Sequence, residues 1–129
     1  MLFHLSNFGL MLVGYSCIYQ SVFLFFDWST ERKVFGIQFH SDFAYTLFYT
    51  FCSLFLVYPG VSLLNFAYLR EARLAEGNLW FPYFMAALAM PLTFGILNTF
   101  QRGAPFDRAT LAALIFLACA IVARYGRIF

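Results

Sequence analysis

The chain has 129 residues, of which 63% are hydrophobic and only 11% charged, with a net charge of +2. A water-soluble domain carries about 25% charged residues, so the composition excludes one. The small positive balance is split among short connections and leaves no room for a nucleic-acid-binding domain.

Four uncharged apolar stretches make up most of the sequence, at 1–26, 43–69, 77–101 and 109–123. A hydrocarbon core about 30 Å thick needs about 20 apolar residues per helix. The first three stretches meet that length, and Pro105, Phe106 and a snorkelling Arg124 extend the fourth. The predicted fold is all-α, an integral membrane protein with one four-helix transmembrane domain and short loops. The helices are predicted at about 3–26, 43–69, 79–100 and 107–126. All eight Lys/Arg and all six Asp/Glu fall at the ends of the apolar stretches or between them. Lipid imposes that pattern, because a charge at the bilayer centre is costly.

The first helix follows no basic n-region and contains no A-x-A-like cleavage site, so it is predicted to be a retained span rather than a secretory signal. The loop after it, 27–42, is the longest. There Arg32 and Lys33 precede Phe35, Ile37 and Phe39, which alternate with Gly36 and Gln38. That pattern suits a segment lying at the membrane interface or adding a strand-like edge to a partner. The short charged loop 70–78 predicts an antiparallel hairpin of helices 2 and 3. Pro82 fits the first turn of helix 3. Asp107 or Thr110 can cap helix 4, which is expected to end near Tyr125 and Gly126. Trp28 and Tyr45 are predicted to mark one interface, and Tyr68, Trp80, Tyr83 and Tyr125 the other. An even number of spans puts both termini on the same side. The basic residues divide four to each face, so the positive-inside rule does not choose the orientation.

Two prolines stand inside the spans. Pro59 lies ten residues before Leu69 and Pro91 eleven after Trp80, both counted from the same short loop. They therefore lie at nearly the same depth, and each frees a carbonyl, that of Phe55 or Ala87. Two kinks at one level predict a cleft bordered by Phe55, Pro59, Pro91, Phe94 and Gly95. Its candidate occupants are a lipid, a quinone, a carotenoid or chlorophyll. The alternative is that the kinks only let helices pack, since proline is common in membrane helices. Small residues repeat along Ala87, Pro91 and Gly95 on helix 3. On helix 4 two stripes run along Ala109, Ala113 and Leu117, and along Ala112, Phe116 and Ala120. Such faces allow close helix contact, and Gly95 is expected to face a neighbouring backbone.

Polar groups in the spans are few. Gln20, Asn65 and Asn98 are candidates for interhelical hydrogen bonds. The one polar grouping an enzyme could use is Gln20 and Asn98 with Tyr45 and Tyr49. His4 and His40 lie at or beyond helix ends on opposite faces, which argues against a haem held between them. Each alone is a candidate pigment ligand, with plain solvation as the alternative. Cys17, Cys52 and Cys119 sit one in each of three helices, without C-x-x-C or zinc spacing, so they are expected to be buried thiols. No metal site is predicted. No predicted span holds a carboxylate or a basic group, which argues against proton relays, cation pumps and drug antiporters. Finally, 19 Phe and 8 Tyr exceed what one small bundle can bury.

By elimination, the expected function is a non-catalytic accessory subunit of a larger membrane complex. The most plausible host is an energy-transducing complex, photosynthetic or respiratory, in a thylakoid, mitochondrial inner or bacterial inner membrane. The expected partners are other transmembrane subunits and membrane lipids, with lipid or pigment bound. The alternatives are a stand-alone small transporter or lipid-binding protein using the Pro59/Pro91 cleft, and a lipid-modifying enzyme.

Overall fold

The computed structural model describes residues 1–126. The elements in chain order are α1 (Leu2–Ser29), β1 (Lys33–Val34), β2 (Ile37–Gln38), α2 (Asp42–Leu74), α3 (Trp80–Arg102) and α4 (Arg108–Tyr125). All four helices are long and apolar enough to cross a membrane. Each runs where the sequence places it. The largest change is at the end of α2, five residues beyond Leu69. Arg70, Glu71, Ala72, Arg73 and Leu74 are all good helix formers, and the chain meets no breaker before Gly77. The charges at 70–73 therefore mark the edge of the apolar stretch and not the end of the helix.

Local chemistry accounts for the ends. Ser41 caps α2 by accepting the Ala44 backbone N–H at 3.2 Å. Asp107 caps α4 by accepting that of Thr110 at 2.6 Å. Gly103 closes α3 at φ 64°, a left-handed conformation that a residue without Cβ adopts readily. The turn 75–79 leads from α2 into α3.

The loop 27–42 folds back on its own chain. β1 and β2 pair antiparallel, with Lys33 opposite Gln38 and Val34 opposite Ile37. Val34 is fully buried with Tyr45 and Tyr49, while Phe35 and Ile37 stay exposed. The strand-like edge predicted from the alternation is thus a two-residue internal hairpin.

α1 is the central helix. It packs most extensively on α2, then on α3, whereas α2 and α3 meet each other far less and α4 leans on α3. α2 and α3 follow one another through the short turn 75–79, and α1 packs against each of them more extensively than they pack on each other. The α1–α2 seam is read off two stripes of buried residues. His4, Asn7, Met11 and Gly14 face Gly60, Leu64, Ala67 and Glu71, each set repeating at steps of three and four. At the crossing, a Cβ on Gly60 would stand 2.7 Å from the carbonyl oxygen of Gly14, and one on Gly14 2.8 Å from that of Gly60. Backbones touch there because neither residue carries a side chain.

Several expectations are corrected. The backbone contact placed at Gly95 occurs instead at Gly14 and Gly60, and Gly95 abuts the ring of Phe106 from the loop. Tyr45 and Tyr125 stand at helix ends, as expected, but their side chains are buried in the bundle. The Tyr45 hydroxyl donates to the Phe25 carbonyl at 2.6 Å, and Tyr125 packs edge-on against Phe81. Cys119 is exposed, and Cys17 and Cys52 are half-buried. The Ala112, Phe116 and Ala120 stripe of α4 faces outward, as do Ala109 and Ala113, whereas Leu117 packs on the core beside Leu114, Ile121 and Tyr125.

Candidate functional site

The densest polar cluster lies where the start of α1 meets the end of α2. His4 and Asn7 are one turn apart on the seam face of α1. Glu71 sits on the seam face of α2, inside the extension that the sequence reading assigned to a loop. Glu71 is 0% exposed and His4 only 6%. His4 Nδ1 meets Glu71 Oε2 at 2.7 Å, and Asn7 Nδ2 donates to Glu71 Oε1 at 2.5 Å. Both carboxylate oxygens are thereby engaged by α1. Asn7 Oδ1 is buried without a hydrogen-bond partner among the described residues.

The cluster corrects one expectation, since His4 is a buried side chain rather than a solvated one. Glu71 lies beyond the predicted apolar span 43–69, yet inside α2 and fully buried. The last turns of α2 continue past the first charge, so Glu71 comes level with the first turns of α1. Burying a carboxylate among apolar side chains is expensive, and the hydrogen bonds made to it from α1 offset part of that cost. The contact at Nδ1 fixes the orientation of the His4 ring. The ring is held further by Phe81, edge-on at 5.3 Å between centroids and 83° between planes. On its other side His4 borders an apolar groove of about 180 Å³ with Phe8, Met85 and Ile121. The cluster locks the start of α1 to the end of α2.

The other predicted site residues divide. Pro91, Phe94 and Gly95 line one cleft of about 180 Å³, closed by the loop residues Ala104, Pro105 and Phe106. Asn98, Asp107 and Thr110 give that cleft a polar end. Phe55 lines a different groove, of about 280 Å³, with Trp28, Phe35 and Tyr49. Pro59 is exposed, while its neighbour Gly60 faces α1. The two prolines therefore do not border one cleft, because α1 separates their helices. His40 is exposed at the opposite end of the bundle from His4, and its carbonyl accepts from Arg32 at 2.9 Å. Asn65 is exposed.

The polar group formed by Gln20, Asn98, Tyr45 and Tyr49 also disperses. Gln20 accepts from Gln101 at 2.5 Å, Tyr49 donates to the Ser21 carbonyl, and Tyr45 donates to that of Phe25. Close by, Arg102 pairs with Asp27 at 2.8 Å and lies over the Phe23 ring. These contacts tie α1 to α2 and α3 at the end opposite Glu71. Among the described residues, no three His, Cys, Asp or Glu side chains converge as a metal site.

A signal for the missed cluster was present in the sequence. His4, Asn7, Met11 and Gly14 follow the spacing of a helix–helix seam, and so do Gly60, Leu64, Ala67 and Glu71. No protein-family model, curated protein or solved structure matches this chain.

Proposed function

We propose that the chain is a non-catalytic accessory subunit of a larger membrane complex, of the energy-transducing kind found in photosynthetic or respiratory membranes. In this reading all four helices span the bilayer, which puts both termini on one side. The observation that carries the proposal is the outward face of α2. Phe43, Leu47, Phe51, Phe55, Tyr58 and Phe66 recur along it turn after turn, and all are exposed, Phe55 at 83%. Leucine alone would satisfy lipid. A stripe of rings the length of a helix suits ordered contact with partner helices or a bound pigment. The outward Ala112, Phe116 and Ala120 stripe of α4 offers a second packing face. Lipid or pigment fills the grooves between.

A photo-crosslinking phenylalanine analogue at position 55 tests the reading in native membranes. The expected product is a defined protein–protein adduct. Adducts to lipid alone would contradict it.

A second reading, a stand-alone small transporter or lipid-binding protein, is favoured by the His4–Asn7–Glu71 cluster. Ionisable groups inside apolar helices often belong to transport or proton pathways. Proteoliposomes that conduct protons with the native chain, and not with Glu71→Gln, would support it over the subunit.

A further inference from the structure

The two ends of the bundle handle their charges differently. At the end that holds the loops 30–41 and 103–107, Arg102 pairs with Asp27, Arg32 with Asp42 and Lys33 with Glu31. At the other end, Arg70 and Arg73 stand one turn apart on one face of α2. Among the described residues, neither forms an ion pair. Glu71 cannot neutralise them, because both its oxygens are turned inward to His4 and Asn7. Glu76, in the turn beyond, pairs with neither.

Arg70 is half-buried, and its guanidinium lies over the rings of Phe3 and Phe66, 5.5 Å from each centroid. The rings attract the cation without competing for its N–H groups as an oxygen acceptor would. Its planar fork stays available to a phosphate, which it can hold through two parallel hydrogen bonds. Arg73, exposed beside it, disfavours a head that carries its own ammonium. Phe3, Phe66 and Leu69 expose apolar surface next to the guanidinium. Arg70 directly follows the uncharged stretch 43–69. In a spanning α2 it therefore stands where hydrocarbon gives way to head groups.

We propose that this end of α2 binds an anionic phospholipid. Arg70 holds the phosphate, Arg73 adds the second positive charge, and the acyl chains lie against Phe3 and Phe66. The proposal rests on the reading that the helices span a bilayer and bind lipid, and it adds the class of lipid and its place. It does not require that the chain be a subunit.

The test is lipid retention in native mass spectrometry. The protein is purified in a non-ionic detergent and given phosphatidylglycerol and phosphatidylcholine with identical acyl chains. The glycerol lipid is expected to be retained roughly tenfold more than the choline lipid. Arg70→Gln and Arg73→Gln are each expected to lower that preference about fivefold. Arg108→Gln removes the same charge from an exposed position at the opposite end and is expected to leave the preference unchanged. Circular dichroism checks that the helices persist, and if Arg70→Gln unfolds, the exposed Arg73→Gln carries the test. Equal retention of the two lipids by the native chain would overturn the site alone. So would a preference that survives in either folded variant, or one that falls equally in Arg108→Gln. Retention of neither lipid would overturn the lipid-binding reading with it.

Discussion

Glu71 shows how one side chain can set both packing and chemistry. Its two oxygens are taken by His4 and Asn7, so removing it leaves two polar groups buried with lost partners. Breaking a buried pair from one side costs more than the pair's net worth, because the remaining partner stays desolvated. Glu71→Ala is expected to destabilise the bundle by about 3 kcal/mol, measured by unfolding in detergent. Glu71→Gln keeps both hydrogen-bonding positions filled, and a clearly smaller loss is expected. Equal losses would mean that the cluster contributes through bulk alone. Asp107 is a different case, being exposed and acting through a helix end. Its carboxyl is lowered by the Thr110 backbone hydrogen bond. Its capping contribution is therefore complete above the ordinary aspartate range and is lost as pH falls through the lowered value. Helix content of native chain and Asp107→Asn is expected to agree at pH 7. Below about pH 4 only the native chain loses part of it, because asparagine does not titrate there. Identical acid profiles would contradict the assignment.

Among the elements, the α1–α2 seam decides the architecture. Gly60 faces α1 beside Pro59, and this pair explains how a proline-bearing helix can still be gripped along its length. The proline ring points outward, while the glycine lets the backbones meet. A methyl at Gly60 would enter the space of the Gly14 carbonyl and of Cys17 Cβ, 2.9 Å away. Gly60→Ala is thus expected to cost about 2 kcal/mol by overpacking. Gly9→Ala meets nothing within 4 Å and is expected to be neutral or stabilising. Thermal melts of the two variants in one detergent check the contrast in sign. The helices themselves were legible because lipid demands long apolar runs, and a run of that length is visible in composition. Their neighbours were less legible. Depth along a helix follows from counting residues, which placed Pro59 and Pro91 level. Which helix lies between two others depends on side-chain fit, here the glycines and the Glu71 end. Pro91, Phe94 and Gly95 line a common cleft because they sit on one helix. Phe55 and Pro59 fell away from it because α1 intervenes.

At the scale of the whole molecule, the chain buries an apolar core with one polar cluster at the end of the α1–α2 seam, and shows aromatic rings outside. The exposed stripe of α2 and the exposed Ala112, Phe116 and Ala120 stripe of α4 lie on separate helices, and on the proposed reading they are two packing faces. The central claim is that the molecule does not work alone. Extraction from native membranes in a mild detergent, then a native gel with mass spectrometry of the band, tests it most directly. A subunit is predicted to migrate far above its 14.9 kDa mass, together with other membrane proteins in fixed proportion. Recovery as a monomer or small homo-oligomer, with no other protein in the band, would contradict the account.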